Sequence, residues 1–148
     1  MPRPPSRPTA GEPAELLLMA GRALRRSWVS ALAPWDLSPH QSRALRAVCS
    51  GDAEPRLADI ADQLRIAPRS ATEVVDALEA KGLVRRAPSP HDRRAVVVQP
   101  TAEGLEVRSA VEQARTEAAE AYLAPLTPDE RDTLSVLLRR LTVDRADS

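Results

Sequence analysis

The 148-residue chain has no phenylalanine, and Trp28, Trp35 and Tyr122 make aromatics only 2% of it. Proteins that read single strands or RNA stack splayed bases on aromatic side chains, so the shortage argues against that mode of recognition. Cysteine is reduced to Cys49 and histidine to His40 and His91. A single thiol forms no intramolecular disulfide, and these three residues fall short of a Cys/His zinc site within one chain, so no metal or other cofactor is expected. The lone thiol fits a reducing compartment. No apolar run approaches the ~20 residues of a membrane span, and Met1 to Pro8, with four prolines, lacks the apolar stretch of a secretory signal. A cytoplasmic protein with no membrane partner is therefore expected, with residues 1–12 as a disordered tail and 13–148 as one domain. Neither a Gly-rich phosphate loop nor a Ser/His/Asp set can be assembled, so an enzyme is not expected.

What is present is charge, in equal amounts: 21 basic and 21 acidic residues. The balance hides a polarity along the chain. Residues 1–47 hold seven Arg against three acids, and residues 56–99 hold eight Arg or Lys against six, whereas residues 100–148 hold six against ten. Attraction to phosphate requires a basic face and not a basic average, so overall neutrality is compatible with binding a polyanion.

Apolar periodicity predicts a mainly helical fold. Leu17, Ala20, Leu24, Trp28 and Leu32 recur at three- and four-residue spacing and outline an amphipathic helix from Ala14 to about Ala33. Ser38-Pro39-His40-Gln41 supplies a cap, a proline at the first helical position and Gln three residues after the cap, which starts a second helix ending before Gly51. Leu57, Ile60, Ala61 and Leu64 mark a short third helix, and after Arg65-Ile66-Ala67 a fourth begins at Pro68 and stops at Gly82. Two short helices with a tight turn are the helix-turn-helix pattern. Leu83–Arg86 and Ala95–Val98 then read as strands flanking a polar turn, and two capped helices follow, from Thr101 to about Ala124 and from Thr127 onward. The expected order is four helices, a small β-hairpin wing and two further helices, with Leu57 to Gly104 forming a winged helix-turn-helix that binds double-stranded DNA.

In the fourth helix Ala71, Val74, Val75 and Leu78 form the buried stripe, which turns Arg69, Ser70, Thr72, Glu73 and Asp76 outward, toward a major groove. Arg69 is the candidate for a phosphate or guanine contact, and Ser70 and Thr72 for positioning hydrogen bonds. Glu73 either accepts from a cytosine amino group or orders a nearby arginine, or else is plain solvated helix surface. At the hairpin tip His91, Asp92, Arg93 and Arg94 have no apolar neighbour to bury. Arg94 is expected to reach the minor groove, with Asp92 holding a guanidinium in place and His91 and Arg93 on the backbone side, against the alternative of a solvated turn with an internal ion pair. Trp28, Trp35 and His40 gather where the first helix leads to the second, as a ligand pocket or as ordinary core. Cys49 reads as an oxidation sensor or as a small buried thiol.

Leu57-Ala58-Asp59-Ile60-Ala61, the run from Thr72 to Val84, Asp92-Arg93-Arg94 and Thr101-Ala102-Glu103-Gly104 resemble the MarR family of bacterial transcriptional regulators over nearly the whole chain after the tail. The resemblance implies a homodimer built by residues 13–36 and 101–148, with residues 37–100 as winged heads on a pseudo-palindromic operator. It also implies repression relieved by a small phenolic or lipophilic effector or by oxidation, and Asp92 and Arg94 as the paired wing motif. Leu17, Leu24, Val111, Ala118, Leu134, Leu137 and Leu141 are the expected interface contributors. Two positions depart from the family pattern: Glu73 stands where arginine is frequent in the recognition helix, and Ala77 where arginine often follows the helix Asp. Cys49 also lies away from the start of the first helix, where thiol sensors of the family keep their cysteine. The rival reading is a winged helix used for protein–protein interaction without DNA binding.

Overall fold

The computed structural model describes residues 9–51 and 53–143; most of the expected tail, residues 1–8, lies outside them. Helix α1 runs Glu12–Ala31, with Pro13 in its first turn, and ends before the expected Ala33. Pro34 explains the early stop, because it has no N–H to continue the ladder and disfavours helical geometry at the residue before it. The chain tightens into a single 3-10 turn, Ala33–Trp35, and reverses through Asp36 at φ 51°. Helix α2, Pro39–Ser50, opens with the expected capping box: Ser38 Oγ accepts the Gln41 N–H at 3.1 Å, and Gln41 Oε1 accepts the Ser38 N–H at 3.1 Å.

The helix-turn-helix comprises α3, Leu57–Leu64, and α4, Pro68–Ala80. Both helices close with the same hydrogen-bond pattern. After α3 the Ile66 N–H reaches the Ala61 carbonyl and the Arg65 N–H the Asp62 carbonyl; after α4 the Leu83 N–H reaches Leu78 and the Gly82 N–H reaches Glu79. The left-handed residue this closure needs is Gly82, at φ 73°, in one case and Arg65, at φ 55°, in the other. A side chain in that region costs about 1 kcal/mol, so the turn at Arg65 is the more strained of the two.

Strands β1, Val84–Pro88, and β2, Val96–Pro100, form a two-stranded antiparallel sheet with Val84 opposite Pro100 and Arg86 opposite Val98. Each begins one residue later and ends two residues later than expected. The Leu83 N–H is already committed to the Leu78 carbonyl, so pairing starts at Val84. Prolines close both strands, where a missing donor costs no ladder bond. The core gathers Leu45 and Val48 of α2, Ile60 and Leu64 of α3, Val75 and Leu78 of α4, Val84 and Val98 of the hairpin, and Val111. Each of these aliphatic side chains contributes about 1.5–3 kcal/mol by leaving water.

Helix α5, Ala102–Leu123, starts at Thr101, whose Oγ1 accepts the Gly104 N–H at 3.0 Å and donates to the Gly82 carbonyl at 2.6 Å. Gly104 is buried so close to the residue just before β1 that a Cβ there would lie 1.9 Å from the Leu83 carbonyl oxygen. Helix α6, Pro128–Val143, begins after Thr127, whose N–H donates to Glu130 Oε2 at 2.8 Å while its Oγ1 accepts the Glu130 N–H at 3.3 Å. Val111 belongs to the chain's own core and is only 5% exposed, so it is not free to contribute to an interface as expected. Among the described residues no helix is long and apolar enough to cross a membrane.

Candidate nucleic-acid interface

Helix α4 places Ala71, Val75 and Leu78 inward, all fully buried, which fixes what faces out. Arg69 and Glu73 are exposed, and Ser70 and Thr72 are half-buried at the flank. The Thr72 hydroxyl donates to the Pro68 carbonyl at 3.1 Å, so its acceptor lone pairs are what it offers a partner. Arg69 Nε lies 3.5 Å from Glu73 Oε1. Of the readings left open for Glu73, the structure favours the one that orders an arginine. The two side chains are 92% and 69% exposed, so the pair itself contributes at most a few tenths of a kcal/mol.

The wing tip is shaped by its own backbone. Ser89, the single buried polar residue among those described, donates its N–H to the Ala95 carbonyl at 2.8 Å, and its Oγ accepts the His91 N–H at 3.3 Å. The Ala95 N–H returns to the Asp92 carbonyl at 3.0 Å. Asp92 Oδ1 accepts the backbone N–H of Arg94 at 3.0 Å. This corrects the expected role of Asp92: its carboxylate holds the loop backbone, in the manner of an Asx turn, and not a guanidinium. His91, Asp92, Arg93 and Arg94 are all exposed, and among the described residues neither arginine has an acidic partner within ion-pair distance. The internal ion pair of the solvated-turn alternative is therefore not formed, and both guanidinium groups point into solvent unneutralised.

Between helix and wing stands a residue to which the sequence reading gave no role. Arg86, on β1, sends Nη2 to Asp76 Oδ1 at 2.5 Å and Nη1 to Glu79 Oε2, and its backbone N–H reaches Glu79 Oε1 at 3.2 Å. Burial works to lower the Arg86 pKa, but the hydrogen bonds and charges of Asp76 and Glu79 outweigh it and hold the guanidinium above its ordinary value. The sequence did carry a signal: Asp76 and Glu79 are three apart on one helical face, and the strand alternation that exposes Arg85 turns Arg86 back toward that helix.

The three expected pocket residues do not meet. Trp35 lines a cavity of about 350 Å³ with Asp36, Lys81, Leu83, Glu103 and Val107, while His40 is exposed on α2. Trp28 instead lies beneath the Arg115 guanidinium, 4.7 Å from the ring centroid. Lys81 closes one side of the Trp35 cavity by donating to the Asp36 backbone carbonyl, with its Nζ 3.4 Å from the Asp36 carboxylate. Cys49 is half-buried, and burial pushes its thiol pKa up, Arg108 offsetting part of the shift. A thiol held protonated is a poor peroxide target, which favours the core reading.

Residues 35–95 match the model described as the MarR family. The chain is 41% identical over 70 residues to an HTH-type transcriptional regulator of Mycobacterium tuberculosis, covering 47% of this chain and 49% of that one. It spans about half the length of the curated relatives it matches first. Similarity to the multiple antibiotic resistance protein MarR of Salmonella typhimurium is lower, 28% over 128 residues, but reaches 85% of this chain and 88% of that one. Among solved structures, mutant MarR from E. coli complexed with operator DNA superposes with a TM-score of 0.67 at 27% identity, covering 87% of this chain and 92% of that one. Helix order and hairpin position agree with these relatives: residues 35–95 match the MarR family, and similarity to MarR proteins extends over 85% or more of the chain.

Proposed function

We propose that the protein is a homodimeric transcriptional repressor of the cytoplasm that binds double-stranded DNA at a pseudo-palindromic operator and is released by a small-molecule effector. The observation that carries this reading is that one head presents both the outward face of α4, beginning at Arg69, and a hairpin tip bearing two unneutralised arginines, Arg93 and Arg94. A helix of this kind enters a major groove with its N-terminal residues toward the bases, and a tip arginine suits the narrow, strongly negative minor groove beside it. The operator-bound state of the E. coli relative supports the same reading. Dimerisation is supported by apolar side chains left in water: Leu16, Leu18 and Met19 on α1 are 55%, 60% and 64% exposed, and Val136 and Leu141 on α6 are 56% and 57% exposed. Effector release is supported by Trp28 Nε1 and Arg108 Nε, buried donors with no protein partner among the described residues, which an acceptor-bearing molecule would satisfy.

A salt titration tests the core of the reading. Purified protein mixed with fragmented genomic DNA should retain a subset of duplexes, and affinity for them should fall steeply and log-linearly as salt rises. Absence of duplex binding even at low salt would sink the regulator and leave the protein-interaction module. Protection of two half-sites about 34 Å apart would establish two-headed binding.

A further inference from the structure

We propose that Arg86 is a charge mask and a clip: it bonds both carboxylates at the far end of the DNA-facing side of α4, cancelling one of their two charges, and ties the first wing strand to that helix, so that helix and wing meet the duplex as one unit. The outward face of α4 has an awkward composition for a surface that must approach phosphates. Its charged residues are Arg69, Glu73, Asp76 and Glu79, three carboxylates against one cation. Asp76 lies four residues after Thr72 and three after Glu73, which puts it on the same stripe of the helix. Arg69 deals with Glu73. Left bare, the other two carboxylates would repel the backbone that Arg69, Arg93 and Arg94 attract.

The fork of one guanidinium answers both. Nη2 takes Asp76 and Nη1 takes Glu79, whose second oxygen accepts the Arg86 backbone N–H, so Glu79 is held by side chain and strand together. Such a planar two-pronged contact is available to arginine and not to the single ammonium of lysine. Only 26% of the Arg86 side chain is exposed, against 60% and 42% for its partners, so the cation is partly withdrawn from screening water. Its own strand is pinned as well, because Arg86 pairs with Val98, which is completely buried. The helix therefore cannot shift relative to β1 without breaking a partly desolvated, charge-assisted contact.

The inference rests on the DNA-binding reading, and the experiment separates the two. Binding of the full-length protein to a random-sequence duplex of about 40 base pairs, roughly four helical turns, is measured across a salt series for the wild type, Arg86→Met, Arg86→Lys and Arg86→Met combined with Asp76→Asn and Glu79→Gln. Arg86→Met should weaken binding about tenfold, and the added neutral amides should recover most of that loss, because the bare carboxylates are what does the harm. Arg86→Lys should fall between wild type and Arg86→Met. Should Arg86→Met not fold, Asp76→Asn and Glu79→Gln in the otherwise wild-type chain remain decisive: each should tighten binding by freeing positive charge. Overturning results are unchanged affinity in Arg86→Met, no recovery in the triple variant, or weaker binding in the two single amides. A loss in Arg86→Met accompanied by a salt slope lower by about one, and not recovered by the amides, would make Arg86 a direct phosphate contact instead. Wild-type protein that binds no duplex at any salt would overturn the mask together with the reading beneath it.

Discussion

Arg94 and Asp92 sit two residues apart and do different work, although both are exposed polar residues on one loop. The Asp92 carboxylate is spent on the Arg94 N–H, whereas the Arg94 guanidinium has no acidic partner among the described residues. Arg94→Ala should accordingly weaken duplex binding by about 1–3 kcal/mol and leave the melting temperature unchanged; a large fall in Tm would make Arg94 structural. Gly104→Ala should do the reverse. Its Cβ would meet a backbone carbonyl, which cannot swing aside, so destabilisation of about 3 kcal/mol is expected in urea unfolding, and a variant as stable as wild type would refute the close approach. For Cys49 the sign follows from a thiol pKa raised by burial. The stability it lends is complete below the ordinary thiol range and is lost as pH rises through the folded value. At neutral pH the folded protein should therefore react with an alkylating reagent more slowly than the unfolded chain; equal rates would contradict the burial.

At the scale of elements, the helix starts and stops were readable because each has a local cause. The capping box of α2 and the closure at Gly82 are written in three or four adjacent residues, and the structure reproduces them. Ser38→Ala should cost about 1 kcal/mol in a thermal melt, and no change would mean the cap is redundant. What escaped the sequence lies between elements. The register of the hairpin depends on which N–H the preceding helix has already used, and the turn at Arg65 uses a left-handed arginine where glycine would have announced it. Arg86 was legible as a strand residue but not as a partner of α4, because its contacts join residues seven and ten positions apart on two different kinds of element. The expected meeting of Trp28, Trp35 and His40 failed for a related reason: proximity in sequence around a tight turn sends side chains to different sides of it.

For the whole molecule, the apolar residues left exposed on α1 and α6 set the main expectation. Leu137, half exposed on α6, is one of the residues assigned to the proposed interface. Leu137→Glu should shift sedimentation from dimer toward monomer with helicity retained by circular dichroism, and DNA affinity should fall with it because two linked heads bind far more tightly than one. A variant that remains dimeric would move the interface elsewhere.

The junction at Gly104 gives this molecule a gear. Helix α5 is 22 residues long, about 33 Å at 1.5 Å per residue, and at its start it presses on Leu83 without an intervening side chain while Thr101 grips the carbonyl of Gly82. A hinge needs slack, and here there is none. Tilting α5 by about 10° about its far end would carry the last residues of α4 and the first of the wing some 6 Å sideways, more than the rise between successive base pairs. A small wedge driven in beside the long helix would thus be converted, with little loss, into a head that no longer lines up with its groove.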